Sequence, residues 1–382
     1  MLREVTIMTY HRETWIEVDL DAIAHNVRQA IRLNPGKMLI AVVKANGYGH
    51  GDVEVAHAAL EAGAKMLAVS SFDEALYLRK SGFECPILVM GVIRLGDIVL
   101  AAEKEIAITA HDAGWIEELV QLDLEKELRV HLKVDSGMHR LGMVSPEEIV
   151  LAFNRLKEYP MVRIEGIYTH MATADEDLDY LHTQVEKFQH QIGGIDLTAV
   201  DYVHLANSAT LLQFNHAFTQ AVRLGISMYG VNQVESFAEL DVQLKPTLAL
   251  YSRLSQCKKI NKGDKVGYGV TYEAEDDEWI GIIPVGYADG WIRVNQGRHV
   301  VVDGYRCEIV GRVCMDQLMI RLPKEMPLDT RVTLIGDGIS VGDVAKELKT
   351  IEHEVFCLLT DRTPRIYKRN QEEVGIRKMR FD

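Results

Sequence analysis

Between residues 38 and 224 one unit recurs eight times: a short apolar run, then a stretch with helical spacing. The runs lie at 38–43, 66–69, 87–90, 106–109, 128–134, 164–169, 202–205 and 221–224. None alternates polar with apolar, so each reads as a strand buried on both faces. Helix candidates fall between them at 53–62, 72–80, 113–122, 146–157 and 178–192. Strand–helix alternation calls for parallel pairing with right-handed crossovers. Eight units in about 240 residues suit an α/β fold of the (β/α)₈ TIM-like barrel type. An open doubly wound sheet is the other solution, but no G-x-G-x-x-G turn follows the first run.

The flanks read differently. Residues 14–18 alternate like a strand, and Asp21 occupies an N-cap position before a helical pattern. After about residue 240, strand-like segments at 248–260, 265–270, 279–285, 299–302, 307–313, 318–322 and 331–335 indicate a separate, mostly β domain. A short helix is expected after Asp343, before a basic tail at 366–380. With 382 residues the chain exceeds what one core usually supports. The expected division is a barrel over 12–240 and a C-terminal β domain over 241–382, with residues 1–11 packing on the latter.

Composition narrows the function. A net charge of -14 argues against nucleic acid or an anionic membrane as partner. The five cysteines form no C-x-x-C pair and read as reduced thiols. No apolar leader and no membrane-length run is visible, so a cytoplasmic location is expected. The scattered histidines form no H-E-x-x-H, and no metal site is expected.

The first run ends on Lys44, followed by Asn46-Gly47-Tyr48-Gly49-His50-Gly51. Barrel active sites lie at the C-terminal ends of the strands. A lysine desolvated there loses basicity and can form a Schiff base, although a strand-end lysine reaching solvent is the plainer reading. The three glycines allow close backbone approach to a ligand, and Tyr48 adds a hydroxyl. Phosphates in barrels bind after the seventh and eighth strands. Asn207 and Ser208 fall at a helix start after the seventh, and Gly225 and Ile226 offer backbone N–H groups after the eighth. Each of these could equally be an ordinary cap or turn. Taken together, a phosphate site facing an aldehyde-reactive lysine describes pyridoxal 5'-phosphate.

"AVVKANGYGHG" resembles the cofactor-lysine motif of the alanine racemase family, which usually has alanine at position 47. "KVDSGMHRLG" (133–142), "THMATAD" (169–175), "HLANSAT" (204–210), "VRLGISMYG" (222–230), "VGYGVTY" (266–272), "VGYADG" (285–290), "GRVCMDQ" (311–317) and "TPRIY" (363–367) resemble further segments in the family's order. The resemblance implies interconversion of L- and D-alanine, supplying D-alanine for peptidoglycan, with pyridoxal phosphate carried on Lys44. Lys44 and Tyr268 would be the two acid–base groups on opposite faces of the α-carbon, with His170 assisting Tyr268 by hydrogen bonding. Arg223 would face the pyridine nitrogen as a donor that does not surrender its proton, keeping the ring less electron-poor. Arg140 would bind the cofactor's phenolic oxygen and the substrate carboxylate. Lys133 could be carbamylated, as in many relatives, and the carbamate would orient Arg140. Tyr48, Ser208, Gly225, Ile226 and Tyr367 would surround the phosphate. The Met315 backbone N–H would meet the carboxylate, and Tyr287 would line substrate access. Ser136 and His139 depart from the family's usual threonine and glycine. A head-to-tail homodimer is implied, with Tyr268 and Met315 supplied by the partner. A broad-specificity or serine racemase is the alternative within the class. A decarboxylase of the same build would want an acid where Arg223 stands, and a lone-barrel cofactor carrier would lack the second domain.

Overall fold

The computed structural model describes residues 11–234 and 242–378. Eight parallel strands close a barrel: β2 (Met38–Val42), β3 (Met66–Val69), β4 (Ile87–Val89), β5 (Ile106–Ala110), β6 (Leu128–Lys133), β7 (Val162–Tyr168), β8 (Tyr202–His204) and β9 (Ala221–Leu224). They are the eight runs read from the sequence. Closure is direct, since β9 pairs with β2 through Met38↔Ala221 to Ala41↔Leu224. Apolar side chains on both faces of these strands are buried, as non-alternating runs require. The helices Phe72–Lys80, Pro146–Lys157 and Leu178–Ile192 occupy their expected spans. Each starts on a side-chain cap, from Ser71, Ser145 and Asp177 respectively.

The first strand, β1 (Thr14–Asp19), is not part of the barrel. It pairs antiparallel with β10 (Leu248–Arg253) and parallel with β19 (Arg365–Arg369). A barrel beginning at residue 12 is therefore corrected: alternation identified the strand but could not say which sheet takes it. The helix that follows runs Leu20–Leu33, so Asp21 lies in its first turn rather than at its cap.

The other strands of the β unit are β11 (Gln256–Ile260), β12 (Lys265–Val266), β13 (Tyr272–Glu273), β14 (Glu278–Ile283), β15 (His299–Val302), β16 (Tyr305–Val310), β17 (Leu318–Leu322), β18 (Arg331–Ile335) and β20 (Glu372–Arg377). Ten strands form one sheet in the order β11-β14-β17-β16-β15-β18-β10-β1-β19-β20, and β12 pairs with β13 alone. The expected strand at 265–270 stops at Val266, and Tyr268 sits in a 3₁₀ turn, Tyr268–Val270. The helix expected after Asp343 begins before it, at Val341, with Ser340 and Asp343 as a capping box.

The chain separates into two compact units. One holds the described residues up to Asp21, Tyr48–Gly51 and Pro246 onward; the other holds Ala22–Gly47 and Asp52–Lys245. Residues 1–10 and 235–241, at the ends of the expected domain boundaries, lie outside the described residues. The four residues Tyr48–Gly51 thus belong to the β unit although barrel sequence flanks them. Their anchors explain this. Arg365, 1% exposed, donates from Nε to Gly49 O at 2.9 Å. Its other nitrogens donate to the carbonyls of Leu359, Thr360 and Thr363. His50 is fully buried between Tyr48 O and Thr247 Oγ1, both at 2.9 Å.

Gly49 is needed for this packing. Its φ is +76°, and a Cβ there would lie 2.3 Å from Phe356 O. The glycine read from the sequence as room for a ligand is room for the chain's own backbone. Gly49→Ala is expected to destabilise by about 2 kcal/mol or more, from overpacking and backbone strain together. The urea midpoint measures this, and a midpoint equal to that of the parent chain would refute the packing role.

Candidate active site

Directly after β2 the backbone turns the wrong way for L-residues. Ala45 (φ 53°, ψ 51°), Asn46 (56°, 46°), Gly47 (57°, 46°) and Tyr48 (φ 51°) form a left-handed turn beginning at Lys44. Each non-glycine residue so placed costs roughly 1–2 kcal/mol. Glu74 offsets part of that cost. One of its carboxylate oxygens accepts from Ala45 N at 2.7 Å, and the other from Ser70 N at 2.7 Å and Ser71 N at 3.0 Å. Gly47 N also donates to Val43 O at 2.9 Å. Lys44 is thereby fixed, half-buried, at the C-terminal mouth of the barrel.

Three further cations gather at this mouth. Burial, then the charges of Arg223, Lys133, Arg140 and Lys44, hold His170 well below its ordinary pKa. Lys133 ends β6 and is 7% exposed. Burial, then the charges of Arg223 and Arg140, pushes its ammonium down to about 7, against the attraction of Asp135. Its Nζ donates to Val134 O at 3.0 Å and lies 5.0 Å from the Tyr168 ring centre. Tyr168 also stacks on His204, with centroids 4.7 Å apart, and shares a 2.8 Å hydrogen bond with Thr109 Oγ1. Burial drives its hydroxyl up to about 12. Lys133 is thus a strongly desolvated lysine, and it entered the sequence analysis only through resemblance.

Arg223, on β9, is 2% exposed. NH1 donates to His204 Nδ1 at 2.6 Å, and NH2 to Thr169 O at 2.8 Å and Leu205 O at 3.1 Å. His170 Nδ1 lies 3.4 Å from NH2. The Nε–H donates to no protein acceptor among the described residues. Burial lowers Arg223 to about 10, which leaves it charged near neutrality.

The loop after β6 is shaped by Asp135. Its Oδ1 accepts from Gly137 N at 2.8 Å and His139 N at 3.0 Å. Burial pulls this carboxyl upward, but the two amides keep it below its ordinary range. His139 takes φ 54°, a left-handed position that accounts for the family's usual glycine, and its ring faces solvent beside the exposed Arg140. Ser136 keeps the hydroxyl of the usual threonine, on Thr169 Oγ1 at 2.8 Å.

At the loops after β8 and β9, expected to take a phosphate, the roles divide differently from the sequence reading. Asn207 is the N-cap of helix Ser208–Gln213, accepting from Thr210 N at 3.1 Å and donating to Met171 O. Ser208 caps nothing. Its Oγ accepts from Gly225 N at 2.9 Å and Ser227 N at 3.3 Å. Gly225 therefore does not offer a free N–H, and that expectation is corrected. A hydroxyl that accepts twice still has its own hydrogen to donate. Ile226 opens the 3₁₀ turn Ile226–Tyr229, so its amide has no partner within the turn.

In the β unit, Tyr268 is 72% exposed and Met315 53%, while Tyr48 and Tyr367 are buried. Tyr287 N donates to Cys314 O and Ala288 N to Met315 O, which ties the two expected substrate loops together. Asp289, 2% exposed, holds that junction through Gly286 N at 2.9 Å and Arg12 at 2.6 Å, and Arg362 binds Asp316 at 2.6 Å. No group of metal-binding side chains occurs among the described residues, and no described helix is long and apolar enough to cross a membrane.

The donor set suits a phosphorylated aldehyde with a ring nitrogen. There is an amine at the mouth, a hydroxyl and an amide at the loops after β8 and β9, and an uncommitted Nε–H on a buried guanidinium. A parallel barrel with a lysine among converging cations defines a class of barrel proteins equipped for an anionic, carbonyl-bearing cofactor. Comparison with known proteins narrows the class. Residues 18–233 match the model for the alanine racemase N-terminal domain, and 247–367 that for the C-terminal domain. The alanine racemase of Geobacillus kaustophilus is 48% identical over 376 residues, covering 96% of this chain and 98% of that protein. That of Anoxybacillus flavithermus is 47% identical over 379 residues, with 96% and 98% covered. The crystal structure of the Bacillus anthracis alanine racemase with bound L-Ala-P superposes with a TM-score of 0.92 at 43% identity, covering 97% and 98%. A histidine racemase from Leuconostoc mesenteroides has a TM-score of 0.88 at 31% identity, with 94% and 99% covered. The chain belongs to the alanine racemase family, whose members depend on pyridoxal phosphate.

Lys133 makes stability depend on pH with a definite sign. It loses its proton above about 7 when folded, but only near 10.5 when unfolded. Across that window the unfolded chain binds more protons, so stability rises with pH. Lys133→Met should flatten the rise in urea midpoint between these two values, and an unchanged slope would mean that Lys133 is not the desolvated group.

Proposed function

We propose that this chain is a pyridoxal-phosphate alanine racemase, interconverting L- and D-alanine with two acid–base groups, Lys44 and Tyr268. The observation that carries the reading is the convergence of Lys44, Lys133, Arg140 and Arg223 at the barrel mouth, in a chain of this family. Bound to Lys44, the cofactor would draw electrons from the substrate's α-carbon and acidify its proton. The residues do the rest. Lys44 Nζ exchanges a proton on one face of the α-carbon and the Tyr268 oxygen on the other. Arg140 holds the substrate carboxylate in its planar fork, joined by the Met315 amide. Tyr48, Ser208, Ile226 and Tyr367 take the phosphate, with Gly225 and Asn207 shaping the cradle. Arg223 presents Nε–H to the ring nitrogen and keeps its own proton, which limits side reactions. Tyr287 lines substrate access. A carbamate on Lys133 would replace a buried cation by an anion facing Arg140; its lowered basicity supplies the neutral amine such a reaction needs.

The high exposure of Tyr268 and Met315 on one chain supports a head-to-tail homodimer in which each site borrows both residues from the partner. The fold also carries the histidine racemase noted above, so a wider substrate range is the second reading, to be decided by a chiral assay over a panel of amino acids. Supply of D-alanine for peptidoglycan, in the cytoplasm, is part of the same proposal.

Borohydride reduction of the purified protein should fix the cofactor on the peptide containing Lys44 and abolish conversion of L-alanine to D-alanine. A protein that takes up no cofactor on reconstitution and does not racemise alanine would overturn the reading. For the shared site, mixing Lys44→Ala with Tyr268→Ala subunits should restore activity to about a quarter of the parent dimer at most. Confirmed hybrid dimers without any recovery would point to self-contained sites.

A further inference from the structure

Four barrel strands share one line of buried ionisable side chains. Arg223 NH1 on β9 lies 2.6 Å from His204 Nδ1 on β8. His204 Nε2 lies 2.9 Å from His131 Nδ1 on β6, and His131 Nε2 lies 3.0 Å from the Glu165 carboxylate on β7. Arg129 backs that carboxylate at 3.6 Å. Both imidazoles are fully buried and Glu165 is 5% exposed. The line is built into the backbone: Gly166 pairs with His131, and a Cβ at 166 would lie 2.2 Å from its Nδ1. Barrel interiors are usually filled by branched apolar residues. A polar line in that place is stable only when every member is satisfied.

Hydrogen counting permits one arrangement. A guanidinium has donors and no acceptor, so His204 Nδ1 must accept. The single proton of that neutral ring is then on Nε2 and donates to His131 Nδ1. The proton of His131 is likewise on Nε2 and donates to Glu165, which as a carboxylate only accepts. Moving either proton to Nδ1, or adding one, sets two donors face to face somewhere along the line. Burial first, then the charge of Arg223, holds His204 well below its ordinary value. Burial pulls Glu165 upward, but the hydrogen bond from His131 and the charges of Arg129 and Arg163 keep it ionised.

We propose that Glu165 is a positioning residue for the racemisation. As the accepting end of the line it fixes His131 and His204 as Nε2–H tautomers, and so holds Arg223 as a donor oriented toward the cofactor ring. This rests on the reading of Arg223 as the ring's partner. Without a fixed acceptor at 165 the line can reverse. His204 then presents N–H to Arg223, the guanidinium is displaced, and the ring nitrogen becomes open to protonation by water. A more electron-poor ring favours abortive transamination, in which alanine, water and the Lys44-bound cofactor give pyruvate, the aminated cofactor and free Lys44.

The test uses holoenzyme labelled with ¹⁵N-histidine, for the parent and for Glu165→Gln. The amide introduced by this substitution fills the same volume as the carboxylate and can donate as well as accept. The parent spectrum should show His131 and His204 both protonated at Nε2 alone. In the variant a second tautomer should appear at both, and pyruvate formed per racemisation turnover should rise roughly tenfold, the scale on which outer partners tune a reactive centre. Glu165→Asp, which keeps the carboxylate, should restore the single tautomer. An Nδ1–H on either ring in the parent overturns the proposal, even if the variants fail to fold. So does a Glu165→Gln protein with unchanged tautomers and unchanged partition. If the parent binds no cofactor and the tautomers are nevertheless as stated, the functional reading fails while the hydrogen-bonded line stands.

Discussion

A guanidinium held inside a barrel is the constraint around which the rest of this unit is arranged. Removing a charge from water costs several kcal/mol even after relaxation, and among the described residues Arg223 has no carboxylate in direct contact to offset it. It is surrounded instead by dipoles: two carbonyl oxygens, an imidazole nitrogen and the face of Tyr168, whose ring centre lies 5.3 Å from Cζ. The compensating anion, Glu165, is two imidazoles away. The charge of Arg223 is thus kept near the mouth, where an anionic ligand can complete it, while that of Glu165 lies deeper in the strands.

The same logic orders the neighbouring groups. Lys133 and His170 are pushed toward their neutral forms by burial and by the cations around them. Asp135 stays ionised because backbone amides, rather than a neighbouring lysine alone, hold it. Burial and neighbouring charge thus set the protonation of each group separately, as perturbed ionisable groups at a functional site require. Rigidity comes from less conspicuous bonds. Glu74 stitches the Lys44 turn to the loop after β3, and Asp289 pins the loops bearing Tyr287 and Met315.

Much of this was legible in the sequence, and for identifiable reasons. Buried strands lack alternation, so the eight barrel strands stood out, and helical spacing marked the helices at 72–80, 146–157 and 178–192. Alternation at 14–18 announced a strand but not its partner, because β1 finds β10 more than two hundred residues away. The Ser71-x-x-Glu74 capping box was visible as a pattern, yet nothing in it betrays the third bond, to Ala45 N. Glu165, His131 and His204 were missed as a set. His131 is 34 residues from Glu165 and 73 from His204, and only barrel closure brings β6, β7 and β8 into line. A histidine and a glutamate inside otherwise apolar runs, at 131 and 165, were the available signal. Gly225 and Gly49 misled in the same way: glycine marks a close approach, and the sequence cannot say whether the visitor is a ligand or the chain itself.

The assignment of Tyr48–Gly51 to the β unit has a consequence for the protein's modularity. The chain leaves the barrel within the Lys44 turn, spends four residues as part of the sheet-bearing unit, and returns to begin a barrel helix. An excised barrel would carry that tetrapeptide without Arg365, Thr247 or the Phe356 carbonyl to receive it. Recombination between relatives at the obvious junction near residue 245 would therefore separate a stitch from its cloth. Chimeras that keep residues 48–51 matched to the later half of the chain should inherit an intact anchor where simple head-and-tail exchanges do not.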